Sequence, residues 1–172
     1  AHSRHMQSAK AGSTDPDRAV AAAAQLFASQ MLADHLYFLG PGRTLQALAR
    51  QLDGDGTLLG VDAYLGQKLV CRDASERELL ALAAQHPVHL VVSLTGGQGC
   101  LFGRGNQQIS AAVLALVDPA NVHVLASAAK IVQLPDGQVF VDTGDPAIDV
   151  RYSGFIRVHT APGRSVMLRV TH

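Results

Sequence analysis

Cysteine is scarce in this chain: 172 residues contain only Cys71 and Cys100. The two have no metal-ligand spacing and are too few for a disulfide-stapled scaffold, so reduced thiols in a cytoplasmic protein are the expectation. An excess of charge is missing as well, since 14 Lys and Arg balance 14 Asp and Glu. No general attraction to nucleic acid or to an anionic membrane surface follows from such a balance. No apolar run approaches the roughly 20 residues that cross a bilayer, and the opening residues lack the basic-then-apolar layout of a secretory signal. There is no internal repeat and no second-domain linker. The histidines His35, His86, His89, His123 and His159 show no close-pair spacing on one helix face, and the sequence accordingly points away from a zinc site.

What is present is one domain's worth of alternating helix and strand patterns. Ala1-His2-Ser3-Arg4-His5-Met6 resembles an expression-tag remnant, residues 7–14 read as a linker, and residues 15–172 form a single domain. Asp15 or Asp17 caps an alanine-rich helix from about Pro16 to Leu32. The apolar runs Leu36–Leu39, Thr57–Ala63, His89–Leu94 and Val122–Ala126 read as strands, with a hairpin at Gly66 leading to Lys68–Val70. Ser75 and Glu78 make a capping box for a helix ending near Gln85, and Ile109–Val117 reads as a short helix. Pro135-Asp136-Gly137 and Ala161-Pro162-Gly163-Arg164 are turns between Val-rich runs. The pattern predicts an α/β fold, a Rossmann-like three-layer sandwich with a mostly parallel sheet and C-terminal β-hairpins.

Two glycine-rich turns follow strand-like segments, which is where open α/β sheets bind ligands. In Gly40-Pro41-Gly42-Arg43-Thr44, a tight turn and a helix start offer free backbone N–H groups to a phosphate, with Arg43 and Thr44 as further donors. The same residues also suit an ordinary turn in which Thr44 caps the helix. The longer run from Thr95 to Gln108 brings Gly96, Gly97 and Gly99 for close backbone approach. Arg104 is there for an anion, and Gln98, Asn106, Gln107 and Gln108 supply donors and acceptors. Cys100, between that loop and Leu101-Phe102, reads as a buried small residue rather than a nucleophile. Asp142, Thr143 and Asp145 around Gly144 suit a ribose hydroxyl, a water-held magnesium ion or a base, and equally an Asx turn capping the helix that Pro146 starts. Asp62, at a strand end, is a further carboxylate candidate for ligand contact. Both glycine turns are expected at one sheet edge, with Gly42 and Gly97 facing a common cleft.

The motif order Leu39-Gly40-Pro41-Gly42-Arg43-Thr44, Thr57-Leu58-Leu59-Gly60-Val61-Asp62, Gly96-Gly97-Gln98-Gly99, Phe102–Gln108 and Val141–Asp145 resembles the C-terminal part of the polyphosphate/ATP-dependent NAD kinase family. That family includes the acetoin-catabolism protein X. The resemblance covers nearly all of the chain from about Gln7. It implies a nucleotide- or phosphate-binding domain of a cytoplasmic NAD-kinase-like protein, with ATP or polyphosphate, NAD and Mg2+ as cofactors of the full-length protein. The N-terminal kinase-like half is the implied partner, self-association into a homodimer stays open, and neither nucleic acid nor membrane is expected. Arg43 departs from the family's Gly-Pro-Gly-Thr-Thr, and the Gly-Gly-Asp-Gly kinase loop belongs to the family's N-terminal half. Gly54-Asp55-Gly56 is not that loop, because it follows a helix instead of a strand. The isolated domain is therefore expected to bind without phosphorylating NAD. Two other readings remain beside this one: a sugar-phosphate isomerase-like enzyme with Asp142 or Asp62 as base, and a non-catalytic module sensing NAD(H) or an acetoin-pathway metabolite.

Overall fold

A computed structural model describes residues 15–54, 56–94 and 98–172. The tag and linker assignments for residues 1–14 lie outside it. The chain opens with α1 (Pro16–Gln30), started by Pro16 at its first turn and by the Asp15 carboxylate, which accepts the Arg18 N–H at 3.0 Å. The buried stripe of α1 is Val20, Ala23, Ala24 and Ala28, small side chains that let the helix lie close to what it covers. Next come β1 (Leu36–Leu39), α2 (Arg43–Ala49), β2 (Asp62–Leu65), β3 (Lys68–Cys71), α3 (Glu76–Ala83) and β4 (Val88–Val92). The second half runs β5 (Cys100–Gly103), α4 (Ala111–Ala115), β6 (Val122–Leu125), α5 (Ala128–Val132), β7 (Gln138–Asp142), α6 (Pro146–Tyr152), β8 (Gly154–Ala161) and β9 (Arg164–Thr171).

All nine strands form one sheet in the order β3-β2-β1-β4-β6-β8-β9-β7-β5. Strands β1, β4, β6 and β8 are mutually parallel, as are β9, β7 and β5, while β2, β3 and the β8–β9 hairpin supply the antiparallel pairs. Along β1 the side chains alternate between two cores: Leu36 and Phe38 enter one, Tyr37 and Leu39 the other. The second core lies under α1 and α2 and includes Val20, Ala24, Leu45 and Leu48. The first unites Leu90 and Val124 with Phe102, Val139 and Val170 from the far end of the sheet. The sheet is therefore curled, its twist bringing β9, β7 and β5 round to enclose the same core as β1, β4 and β6. This is a Rossmann-like sandwich with a C-terminal hairpin. Among the described residues no helix is long and apolar enough to cross a membrane.

The second strand is shorter than the expected Thr57–Ala63 and begins only at Asp62. The Asp62 carboxylate turns back to accept the Thr57 N–H at 2.7 Å and the Thr57 hydroxyl at 2.9 Å, which holds the preceding residues as a loop. The α1 helix and the one after the central loop also end earlier than the apolar pattern suggested, α1 at Gln30 and α4 spanning Ala111–Ala115 alone. A larger departure concerns the run from Thr95 to Gln108, which is not one continuous loop. Its Cys100-Leu101-Phe102-Gly103 portion is strand β5, paired with β7. A Cβ on Gly103, whose φ is 109°, would overlap the Asp142 carbonyl. That glycine is required by close approach of two backbones.

Candidate functional site

The turns after β1, β4 and β6 lie at one edge of the sheet because those strands are parallel. Pro41, from the first glycine turn, lines a cavity of about 230 Å³ together with Ser93, Gln98, Arg104 and Asn106 from the second. Gly96 and Gly97 lie outside the described residues. The Ser93 hydroxyl is buried and has no hydrogen-bond partner among the described residues. A buried hydroxyl left in that state is destabilising by about 1–3 kcal/mol, so it marks a position that a ligand or ordered water would satisfy. Cys100 also lines this cavity. Burial raises its pKa, with Asp142 adding to the rise and Arg104 opposing it, so the thiol is a poor nucleophile.

Gly40 and Gly42 shape the first turn differently. The Gly40 N–H donates to the Val91 carbonyl at 2.8 Å and the Gly42 N–H to the Leu58 carbonyl at 2.9 Å, and Pro41 has no N–H, so the free backbone donors expected of Gly40–Gly42 are used within the fold. Gly42 has φ 116° and nothing near its would-be Cβ, so backbone conformation, not space, calls for glycine. Beyond it Arg43 and Thr44 open α2 and are not part of the lining of the cavity that includes Pro41. They line a second cavity, about 370 Å³, with Asp17 of α1 and with Ser127 and Lys130 at the start of α5. The common cleft expected for Gly42 and Gly97 rests on Gly97, which lies outside the described residues; of the residues flanking Gly42, Pro41 lines one cavity and Arg43 the other.

Several candidate side chains are committed within the fold. Asp62, 3% exposed, accepts the Asp73 N–H at 2.9 Å besides its two bonds to Thr57. Gln108 donates to the Ala74 carbonyl at 2.6 Å and to Asp73 at 3.1 Å, tying the central segment to the loop before α3. Asn106 accepts the N–H groups of Gln108 and Ile109 at 3.0 and 2.9 Å. Asp145 caps α6 through Ala147 at 3.0 Å, and Thr143 donates to Asp149 at 2.6 Å. Asp142 stands 3.8 Å from Arg104, both mostly exposed, a pair of little energetic weight. Arg104 also rests 4.8 Å over the Phe140 ring. Gln107 is exposed, and Gly99 accepts the Phe140 N–H at 2.8 Å.

Residues 32–170 match the family model of the ATP-NAD kinase C-terminal domain. The chain belongs to that family. Neither the curated proteins nor the solved structures compared with it gave a match.

In this ATP-NAD kinase C-terminal domain, sequence reading missed Ser93, Ser127 and Lys130. Lys130 in particular brings a second cation to Arg43, although neither glycine turn contains a lysine. The signal was only positional: Ser93 follows directly on β4 and Ser127 comes two residues after β6, strands whose carboxyl ends share the edge. The gathering of the histidines was not anticipated either. His35, just before β1, comes together with His89 of β4 and His123 of β6, and the overlooked cue is a Val-His dipeptide repeated in β4, β6 and β8.

Proposed function

We propose that this domain is the nucleotide- or phosphate-binding half of an NAD-kinase-like protein, contributing to phosphorylation of NAD in the full-length chain. Family membership supports the reading, and the observation that carries it is the buried, unpartnered Ser93 hydroxyl in the cavity between the two glycine turns. At about 230 Å³, this cavity is smaller than the roughly 300–1,000 Å³ of pockets that enclose a whole drug-sized ligand. It fits a phosphate or a ribose and not an entire dinucleotide. The neighbouring cavity adds Arg43 and Lys130, whose charges suit a second anionic group.

In this reading the cavity lined by Pro41, Ser93, Gln98, Arg104 and Asn106 receives one end of the nucleotide, with the backbone of Gly96 and Gly97 as further proposed contacts. Arg43, Thr44 and Lys130 hold a phosphate. Gln107, Asp142, Thr143 and Asp145 lie beyond the lining of either cavity and would act only on parts of a ligand that extend outside them. Asp62 and Gln108 position the surrounding loops. No group of three or more His, Cys, Asp or Glu among the described residues converges on a metal position. Magnesium, ATP or polyphosphate would therefore be held chiefly by the partner half and by the substrate phosphates. Magnesium's contribution there is to neutralise charge on the transferred phosphoryl group. The competing isomerase reading draws less support, since Asp62 is enclosed by three internal donors and Asp142 is an exposed partner of Arg104. A sensing role for NAD(H) or an acetoin-pathway metabolite uses the same cavities and differs in having no turnover when the halves are joined.

The test is a ligand panel on this 172-residue chain: NAD, NADP, ATP, polyphosphate and sugar phosphates, read by thermal shift and calorimetry. A ligand at 100 times its dissociation constant adds about 2.7 kcal/mol of stability, which the shift resolves. Binding of NAD or ATP, weakened in Ser93→Val, is expected. NADP formation is expected only after the N-terminal half is restored. Absence of binding by every nucleotide and phosphate in the panel overturns the reading.

A further inference from the structure

A third cavity, about 440 Å³, lies against the C-terminal half of α1, whose N-terminal half borders the cavity of Arg43 and Lys130. Its body is apolar, built from Leu26, Phe27, Met31, Leu125 and Pro162, and three imidazoles, His89, His123 and His159, form one wall. No Asp, Glu, Lys or Arg lines it among the described residues. The imidazoles come from adjacent parallel strands: His89 is level with Tyr37 of β1, His123 with Val91 of β4 and His159 with Leu125 of β6. The two-residue step at each strand keeps all three on the α1 face. Nδ1 of His35 lies 2.8 Å from Nε2 of His89, and Nδ1 of His89 lies 2.9 Å from Nε2 of His123. His35 is 26% exposed and sits 3.9 Å from the solvated Asp34. A hydrogen-bonded ladder thus runs from solvent to the cavity wall.

We propose that this cavity binds a small organic monoanion, an aliphatic or aromatic carboxylate, and that the histidine ladder delivers the proton that neutralises it. With each Nδ1 protonated, a proton added at Nε2 of His35 releases its Nδ1 proton to Nε2 of His89. His89 in turn passes its Nδ1 proton to Nε2 of His123. His35 and His89 finish neutral, His123 carries the charge, and one proton has been taken from solvent. Four ring nitrogens, Nδ1 of His35, both of His89 and Nε2 of His123, are engaged with each other, and among the described residues no group of three or more His, Cys, Asp or Glu converges on a metal position.

The environment is set so that the empty cavity stays uncharged. Burial, then His89, then His159 hold His123 down to about 4, and burial with His35 lowers His89. His159 is lowered by burial and by Arg157. Tyr37 stacks on His89 at 4.6 Å and Phe27 meets His123 edge-on at 5.0 Å. The stretch of α1 over the ladder contributes Gln30 as its polar residue and no charge, and the β8–β9 turn contributes Ala161, Pro162 and Gly163. A cationic ligand would meet no counter-charge here. A carboxylate reverses the balance, since an opposite charge close to an imidazole favours its protonated form. The volume falls within the range of small-ligand pockets, roughly 300–1,000 Å³.

Benzoate and hexanoate are the probes, with benzamide and benzylamine as neutral and cationic controls. Histidine Cε1–H resonances of the 172-residue chain are followed by NMR, and calorimetry in buffers of different ionisation enthalpy counts protons. Expected are shifts of His89, His123 and His159 with the carboxylates alone and uptake of nearly one proton per ligand. Affinity should fall about tenfold per pH unit between the empty and the bound pKa. Leu26→Arg, at a mouth residue 42% exposed, should block entry while the melting curve reports an intact fold. His123→Phe should abolish proton uptake. Equal binding of benzamide and benzoate without proton uptake overturns the proposal, as does the absence of any ladder shift at millimolar carboxylate.

Discussion

Asp62 and Thr57 are joined twice, the carboxylate accepting both the backbone N–H at 2.7 Å and the hydroxyl at 2.9 Å. The same carboxylate takes the Asp73 N–H at 2.9 Å, so one buried charge anchors the loops on either side of the β2–β3 hairpin. Asp62→Ala leaves those donors without their acceptor, and hydrogen bonds to a charged group are each worth about 1.5–3 kcal/mol. Urea denaturation should show a loss of roughly 3 kcal/mol, with about half of it recovered in Asp62→Asn, which keeps one acceptor oxygen. A loss under 1 kcal/mol in the alanine variant would make Asp62 free for a ligand role.

Gly103 and Gly105 separate two reasons for glycine. Both have positive φ, 109° and 92°, but a Cβ at Gly103 meets the Asp142 carbonyl while one at Gly105 meets open space. Gly105→Ala should lower stability by about 1 kcal/mol through backbone strain alone. Gly103→Ala should lower it by roughly 3 kcal/mol or more, because β5 and β7 must separate. Equal melting temperatures for the two variants would contradict the close backbone approach.

Arg43 and Lys130 line one cavity from different helices. Removing either should weaken binding of inorganic phosphate or nucleotide by about 1.5–3 kcal/mol, roughly 10- to 150-fold. Cys100→Ala should leave it within a factor of about three, since among the described residues its buried thiol makes a single long contact, 3.4 Å to the Phe102 carbonyl. Calorimetry on the three variants decides, and unchanged affinity in both cation variants would remove this cavity from the binding model.

His123 should make the fold acid-sensitive. Its folded pKa is depressed to about 4, below the unfolded value, so the unfolded chain binds more protons between about pH 6.5 and 4 and stability falls as pH drops through that window. The loss between pH 7 and pH 4.5 should be roughly 2 kcal/mol from this group. Carboxylates add an acid loss of their own, so the measurement is the difference in pH slope between the natural protein and His123→Phe. An NMR titration placing the His123 midpoint near 6.5 would contradict the burial that depresses it.

Local chemistry was legible. The Ser75–Glu78 capping box forms with both of its bonds, at 3.0 and 3.1 Å, and Asp15 and Asp145 cap the helices begun by Pro16 and Pro146. Gly66 and Gly163 turn their hairpins with φ of 57° and 68°. The glycine turn after β1 was located because a strand, a turn residue and a helix start are each decided within a few residues, whereas Gly96 and Gly97 after β4 lie outside the described residues. The length of β2 was misread for a reason outside that range, since Asp62 folds back on Thr57 instead of extending the strand. Strand β5 was hidden in a glycine run because its partner β7 lies more than 30 residues away.

The sequence by itself determined the alternation of helix and strand, the caps and turns, and the family to which the domain belongs. Tertiary structure alone decided that Arg43 turns towards Lys130 while Pro41 turns towards Ser93. It also brought His35 within reach of His89, 54 positions on, and His89 within reach of His123, another 34 on. Capping and turn formation are short-range equilibria that each segment settles for itself. The cavities and the ladder depend on strand order, on register and on the face each strand buries, which are fixed only when the whole sheet closes on its cores.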